Sequence, residues 1–134
     1  MDSAEPATVI RAHTADDCCM FTTTGRSSGR PHRIEIWFGV LDDVIYLISG
    51  NGSSADWYRN ALAHPEVTIE LGGQRISCTA RRVSDPNERR RVGELMGAKY
   101  PWDGDPSIGL TRCAWCFDVP VLALLQPKLT RSLT

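Results

Sequence analysis

The chain has 134 residues, of which 42% are hydrophobic and 23% charged, and its formal net charge is −1. A single domain of this length can bury a core without disulfides or metal ions, and the near-neutral charge argues against a general nucleic-acid binder. The sequence has no run of about 18 apolar residues and no basic, then apolar start, so we expect one cytoplasmic domain over residues 1–134 without a transmembrane segment.

Residues 1–14 show no firm periodicity and are predicted to form a mobile N-terminal arm. A first strand over 18–23 leads into a turn rich in hydroxyls and cations. Gly25 and Gly29 allow tight backbone turns, and Arg26 and Arg30 carry positive charge. Together with Thr24, Ser27 and Ser28, they offer donors to an anion, although a simple hairpin loop explains the same composition.

The next segment, 33–40, alternates between apolar residues and a second face that carries Glu35 and Trp37. This alternation predicts a half-buried strand beside a pocket or solvent. A turn at Asp42 and Asp43 connects it to a partner strand over 44–49. The hairpin would bring Trp37 near the loop that starts at Ser49.

That loop contains Gly50, Asn51 and Ser53 and runs directly into a predicted helix over 54–63. Ser54 is the expected N-cap, and His64-Pro65 ends the helix. A helix start with free N–H groups attracts anions, although an ordinary cap accounts for the same residues. Trp57 and Asn60 are three residues apart and share one face of the helix.

A second hairpin is predicted from strands over 67–71 and 75–83, joined by Gly72-Gly73. A helix over 85–99 follows, with Asp85 as N-cap, Pro86 in its first position and Glu88 at the capping-box position. The arginines at 89–91 are expected on its solvated face, with contact to a ligand tail as the alternative. Residues 101–106 form an irregular loop whose Trp102 is expected to pack.

The five cysteines include Cys113 and Cys116 in a C-x-x-C spacing. A redox or metal role would need a helix start beneath the pair or a second ligand pair, and the sequence indicates neither. The pair opens an apolar segment that predicts a strand over 115–125, so we expect small buried side chains. A polar tail follows at 127–134.

Six strands in hairpin order with two short helices predict a mainly β protein, a six-stranded antiparallel β-barrel. The order argues against a doubly wound α/β fold.

Several of these segments resemble the deazaflavin-dependent nitroreductase group of the flavin/deazaflavin oxidoreductase superfamily. The similar segments are Thr22–Arg26, Ser28–Pro31, the Ser49-Gly50 loop, Asp56–Asn60, and Ala63–Pro65 with Val67-Thr68. The resemblance covers about residues 18–125. It implies the split β-barrel of pyridoxamine-phosphate-oxidase-like and FMN-binding proteins, often a homodimer, and coenzyme F-420, whose tail carries a phosphate and several glutamates.

By position, the resemblance assigns the turn that grips the phosphate tail to Thr24, Gly25, Arg26, Ser28 and Gly29. It assigns the loop beside the deazaflavin ring to Ser49, Gly50, Asn51 and Ser53, and the W-x-x-N segment to Trp57 and Asn60. Ser27 and Asn51 stand where the family often has lysines, which removes two cations that would hold an anionic tail.

The function implied is transfer of a hydride from reduced F-420 to a small electron-poor acceptor, such as a quinone, nitroaromatic or enone. Candidates for the proton donor are His32, Tyr46, Tyr58 and Tyr100, and packing is the alternative for each tyrosine. An FMN-binding reductase or oxidase on the same barrel, and a non-catalytic protein that binds the coenzyme or a fatty acid, remain alternatives.

Overall fold

The computed structural model describes residues 5–129 and consists of nine β-strands, four α-helices and two short 3-10 helices within that range. The strands are β1 (Cys19–Thr24), β2 (Pro31–Ile36), β3 (Gly39–Leu41), β4 (Val44–Ile48), β5 (Glu66–Leu71), β6 (Gln74–Arg82), β7 (Gly104–Asp105), β8 (Leu110–Thr111) and β9 (Val121–Leu129). The α-helices are α1 (Pro6–Ala12), α2 (Asp56–Ala63), α3 (Pro86–Lys99) and α4 (Arg112–Phe117), and the 3-10 helices are Gly52–Ser54 and Pro106–Ile108.

Seven strands form one antiparallel sheet in the order β2-β1-β5-β6-β9-β4-β3, and β7 and β8 form a separate two-stranded sheet. The prediction of a mainly β antiparallel fold is confirmed, but the strand count of six is wrong, and the sheet curls without closing into a barrel. The count differs because the predicted strand over 33–40 divides at Trp37 and Phe38. Its two halves, β2 and β3, form the opposite edges of the sheet.

Strand β4 and the first half of β9 are buried on both faces. In β4, Ile45 and Leu47 join one hydrophobic cluster, whereas Tyr46 and Ile48 join a second on the other side. Helices α1 and α2 contribute to the first cluster, and α3 and α4 contribute to the second. Such double burial explains why β4 and residues 121–125 of β9 are continuously apolar in sequence.

Both predicted hairpin turns are confirmed. Asp42 and Asp43 have φ angles of 51° and 66°, and Gly72 and Gly73 have 55° and 77°. Two consecutive left-handed residues are what a tight two-residue connection between twisted strands requires. The β5–β6 hairpin pairs Leu71 with Gln74, as the alternation predicts.

Helix α3 begins as predicted, because the Asp85 side chain accepts a hydrogen bond from the Glu88 N–H at 3.0 Å. The expected exposure of all three arginines is wrong for Arg89. Its half-buried guanidinium donates to the carbonyl oxygens of Trp115, Cys116 and Val119, at and just beyond the end of α4.

The predicted arm contains α1, which the structure shows docked on the sheet. Val9 and Ile10 lie in the first hydrophobic cluster and are 7% and 1% exposed. Pro6 occupies the first turn, where proline favours helix initiation. Residues 1–4 of the predicted arm lie outside the described residues.

The predicted strand over 115–125 is wrong at its start, since 112–117 form α4 and β9 begins at Val121. Thr111 caps α4 by accepting from the Ala114 N–H, and a helix start therefore does lie beneath the C-x-x-C pair. Cys116 is buried, Cys113 is exposed, and both are free thiols. The predicted tail begins inside β9, and residues 130–134 lie outside the described range.

Candidate functional site

The turn between β1 and β2 is a compact hairpin loop. The Gly25 N–H donates to the Arg30 carbonyl and the Gly29 N–H to the Gly25 carbonyl, both at 2.8 Å. Gly29 has a φ of 71°, which favours glycine. A Cβ atom at Gly25 would lie 2.5 Å from Ser28 Oγ and 2.7 Å from His32 Nε2, so a larger residue would have to displace those two side chains.

Helix α2 faces this turn through Asn60, which is only 4% exposed. Its Oδ1 accepts from the Arg26 backbone N–H at 3.1 Å and from Arg26 Nη1 at 2.7 Å, while its Nδ2 donates to Thr23 Oγ1 at 3.4 Å. Arg26 Nη2 also forms a salt bridge with Asp56 Oδ1 at 3.1 Å. The buried amide therefore fixes the direction of the arginine.

A cavity of about 500 Å³ lies between the turn and α2. Its walls combine the turn, the edge strand β2, the Asn51 loop and the first turns of α2. The lining residues are Gly25, Arg26, Ser27, Ser28, His32, Ile34, Asn51, Ala55, Asp56, Trp57 and Asn60. Trp57 packs edge-on against Phe21, with ring centroids 5.8 Å apart, so its indole belongs to both the cavity and the core.

The loop that starts at Ser49 borders an adjacent second cavity of about 520 Å³. This cavity is lined by Gly50, Asn51, Ser54, Ala55, Asp56 and Ile108. Asn51, Ala55 and Asp56 line both cavities, which therefore adjoin. Ser54 is not the helix cap, because the 3-10 turn Gly52–Ser54 intervenes and Ala55 occupies the N-cap position.

Ser49 and Ser53 have different environments within this loop. Ser49 is fully buried, and its hydroxyl donates to the Gly52 carbonyl at 2.7 Å, so this side chain holds the loop together. Ser53 is exposed in the 3-10 turn. In the turn between β1 and β2, Thr24 is the last residue of β1 and pairs with Pro31 of β2.

Trp37 lies in an aromatic cluster beyond Gly50. Its ring stacks on Tyr100 with centroids 4.4 Å apart, and Trp102 and Trp115 approach it edge-on. A Cβ at Gly50 would lie 3.5 Å from Trp115 Cδ1, so this cluster adjoins the second loop. A third cavity of about 440 Å³ is lined by Asp17, Cys18, Trp37, Lys99, Tyr100, Pro101 and Trp102.

Lys99 places a cation at this third cavity. Its ammonium lies 3.8 Å from the centre of the Phe38 ring and donates to the Phe38 carbonyl at 2.9 Å. Burial lowers its pKa below the usual value. Trp102 has a buried indole N–H with no hydrogen-bond partner among the described residues.

The four candidate proton donors lie in separate places. His32 lines the first cavity, and Tyr100 lines the third. Tyr46 donates to Glu88 at 2.7 Å on the far side of the sheet, and Tyr58 is 2% exposed in the first hydrophobic cluster. Burial raises the pKa of Tyr46 and of Tyr100 to about 12.

Sequence reasoning missed several residues of these cavities. Asp56 precedes the W-x-x-N segment and lines two cavities, and Ile34 and Ala55 complete the first. Lys99 and Trp115 reach the aromatic cluster from the end of α3 and from α4. The basic turn and the W-x-x-N helix carried a local signal, but only the fold brings the other residues beside them.

The residues of the first cavity fit an anionic group. They supply one guanidinium, the hydroxyls of Ser27 and Ser28, and an imidazole, the donor types that bind phosphate. The Asp56 carboxylate opposes this charge at the mouth of the cavity. The fit is therefore to a group with limited negative charge.

Residues 2–108 match the family model for F420H(2)-dependent quinone reductases. The F420H(2)-dependent quinone reductase of Mycobacterium tuberculosis is 30% identical over 73 residues, which cover 51% of this chain and 49% of that protein. The chain thus matches about half the length of this relative.

Two solved structures share the fold. One, an F420-H2 dependent reductase, has a TM-score of 0.63 and 23% identity, covering 81% of this chain and 94% of its own. The other, a putative pyridoxamine 5'-phosphate oxidase from Listeria innocua, has a TM-score of 0.63 and 16% identity, covering 92% and 94%. Within residues 5–129, no helix is long and apolar enough to cross a membrane.

Proposed function

Because the chain belongs to the F420H(2)-dependent quinone reductase family, we propose that it is an oxidoreductase that uses coenzyme F-420. The observation that carries this proposal is the first cavity, which joins the basic turn to Trp57 and Asn60. It supports binding of a long ligand that has an anionic part and a planar part. Bound reduced deazaflavin supplies a hydride to an electron-poor acceptor.

We propose that Arg26, Ser27 and Ser28 hold the anionic tail. The ring would then extend past Asn51 towards Gly50, because Asn51 borders both the first and the second cavity. Gly50 supports this direction, since it lines the second cavity and lies beside Trp115. Trp57 would line the apolar part of the path.

The aromatic cluster suits a flat acceptor such as a quinone, nitroaromatic or enone. Trp37 is 36% exposed and lines the third cavity with Tyr100 and Trp102. Aromatic side chains contribute large apolar contact area and stacking. These walls would orient the acceptor and exclude water, and the hydroxyl of Tyr100, with its high pKa, would stay protonated at neutral pH.

We further propose that the curled, open sheet belongs to the pyridoxamine-phosphate-oxidase-like split-barrel type. The neighbours at TM-scores of 0.63 support this fold type. We also propose that two copies form a homodimer and that the protein acts in the cytoplasm on small molecules. Light scattering tests the dimer, and a monomeric mass would contradict it.

The test is a titration of the purified protein with oxidised F-420, followed by deazaflavin fluorescence, in parallel with FMN. We expect saturable binding of F-420 and turnover of reduced F-420 with a quinone or nitroaromatic. Saturable FMN binding without F-420 binding would favour an FMN enzyme. Binding of F-420 without turnover across the acceptor panel would favour a non-catalytic carrier.

Arg26→Ala tests where the tail lies. Charge-assisted hydrogen bonds contribute about 1.5–3 kcal/mol, so its loss should weaken F-420 binding by about 10–150-fold. Arg90→Ala is the matched control, because Arg90 is exposed on α3 and outside all these cavities. Unchanged affinity and salt dependence in Arg26→Ala would refute this assignment.

A further inference from the structure

Two side chains of opposite charge face each other at the mouth of the first cavity. Arg26 Nη2 and Asp56 Oδ1 are 3.1 Å apart. Asp56 is the more exposed partner, with 85% of its side chain accessible against 29% for Arg26. An anion that approaches Arg26 from solvent therefore comes close to an exposed carboxylate.

The guanidinium is held from its inner side. Nη1 donates to Oδ1 of the buried Asn60 at 2.7 Å, and the Arg26 backbone N–H donates to the same oxygen. Rotation of Arg26 away from Asp56 would break the contact between Nη1 and Asn60. A ligand that binds Nη2 must consequently share it with Asp56, and one that binds elsewhere on the guanidinium still lies close to the carboxylate.

The charge balance of the cavity follows from its lining. Arg26 contributes +1 and Asp56 −1, His32 is counted as neutral, and Ser27 and Asn51 are uncharged. The lining therefore has a formal charge of zero. Each further negative charge on a ligand gains attraction from Arg26 but meets repulsion from Asp56 at a similar distance.

We infer that Asp56 is a specificity-determining residue that limits the charge of the ligand this cavity accepts. The carboxylate competes for Arg26, so the cavity favours an anionic group of one or two charges, such as a single phosphate, over a polyanion. For the coenzyme, this inference rests on the proposed function and predicts preference for a short, weakly charged tail. The alternative role of Asp56 is to stabilise the start of α2, where an acidic residue is favourable.

The experiment is calorimetric titration of the full chain with inorganic phosphate, pyrophosphate and tripolyphosphate at low ionic strength. We expect Asp56→Asn to bind tripolyphosphate about 3–10-fold more tightly than the parent protein, with a smaller gain for phosphate. The gain should shrink in about 0.5 M salt, because exposed charges are screened. A purely helix-stabilising role would lower the melting temperature without this dependence on ligand charge.

Glu94→Gln is the matched control, because it also removes one exposed carboxylate, on α3 and away from the cavity. It should bind all three anions within about twofold of the parent. Adding Arg26→Gln to Asp56→Asn should abolish the gain. Equal or weaker tripolyphosphate binding in a folded Asp56→Asn protein, or an equal gain in Glu94→Gln, would overturn the inference.

A titration with F-420 species of different glutamate number separates this inference from the proposed function. If Asp56→Asn gains affinity for polyphosphates but no form of the protein binds F-420, the inference holds and the coenzyme assignment fails. If the parent binds F-420 and Asp56→Asn gains nothing, even for the longest tail, the coenzyme assignment holds and the inference fails.

Discussion

Asn60 connects the stability of the protein to the proposed ligand site. Its amide accepts two hydrogen bonds from Arg26 and donates one to Thr23 while it is 4% exposed. We expect Asn60→Ala to lower the free energy of unfolding by about 1–3 kcal/mol, because it leaves buried polar groups without partners. Urea unfolding measures this loss.

Arg26→Ala provides the comparison for Asn60→Ala. It removes a partly exposed side chain, so it should cost less stability than Asn60→Ala but at least as much affinity for F-420. A melting temperature unchanged in Asn60→Ala would show that the amide does not anchor the turn. The sequence predicted both residues at the site, but it indicated ligand contacts rather than this internal hydrogen bond.

Glu88 links α3 to β4 and β6 and gives stability a pH dependence. The hydrogen bond from Arg81 chiefly lowers the pKa of its carboxyl group, and the Tyr46 hydroxyl adds to this effect. The charged form is thus favoured by folding. Its stabilising contribution is present above the unfolded value of about 4.5 and is lost as pH falls through the lower folded pKa.

We therefore expect Glu88→Gln to lose stability at pH 7 and to show a flatter decline than the parent below about pH 4.5. Urea unfolding at a series of pH values measures this difference. Glu94→Gln serves as control, since Glu94 is an exposed carboxylate on the same helix. An acid profile of Glu88→Gln parallel to that of the parent would contradict the assignment.

At the scale of elements, α3 and α4 hold each other through two arginines. Arg89 of α3 donates to the carbonyls of Trp115 and Cys116 in the last turn of α4. Arg112 of α4 donates to the Gly97 carbonyl in the last turn of α3 and to the Tyr100 carbonyl just after it. Each cation thus satisfies carbonyls that a helix end leaves unpaired, where positive charge is also favourable.

We expect Arg89→Met to lower the free energy of unfolding by about 2–4 kcal/mol, because it leaves partly buried carbonyls without donors. Arg90→Met is the matched control, since the neighbouring side chain is exposed. It should change stability by less than about 0.5 kcal/mol. Equal urea midpoints for the two variants would contradict the role of Arg89 in holding α3 and α4 together.

The same elements mark what the sequence could and could not reveal. Helix α3 and the two hairpins follow from local rules, namely an Asp-Pro start and paired turn residues, and all were predicted. The short helix α4 has an apolar sequence that fits a strand equally well, and the Thr111 cap and the contacts with Arg89 stabilise the helix. The strand divides at Trp37, which stacks on Tyr100, 63 positions later, a contact that no local pattern contains.

At the scale of the whole molecule, α1 joins the N-terminal segment to the core. Val9 and Ile10 pack in the same cluster as residues of β1, β4, β5 and β9, and Arg11 forms a salt bridge with Asp43 at the β3–β4 turn. The helix has only seven residues, too few to be stable by itself in water. Its structure therefore depends on the sheet.

We expect this dependence to make α1 and the sheet unfold together. Ile10 is 1% exposed, so Ile10→Ala should lower the free energy of unfolding by about 2–4 kcal/mol. Thr8→Ala, on the exposed side of the same helix, should have little effect. Urea unfolding followed by far-UV circular dichroism and by tryptophan fluorescence should give coincident transitions in all three proteins. If Ile10→Ala matched Thr8→Ala in stability, the segment would be the loosely attached arm that its sequence suggests.

Because α1 and α2 pack into the same cluster, a destabilised α1 should also loosen α2. Since Asn60 lies on α2, its hydrogen bonds with Arg26 should then weaken as well. We expect Ile10→Ala to lose F-420 affinity at temperatures close to its lowered melting temperature and to keep the affinity of the parent protein at much lower temperatures.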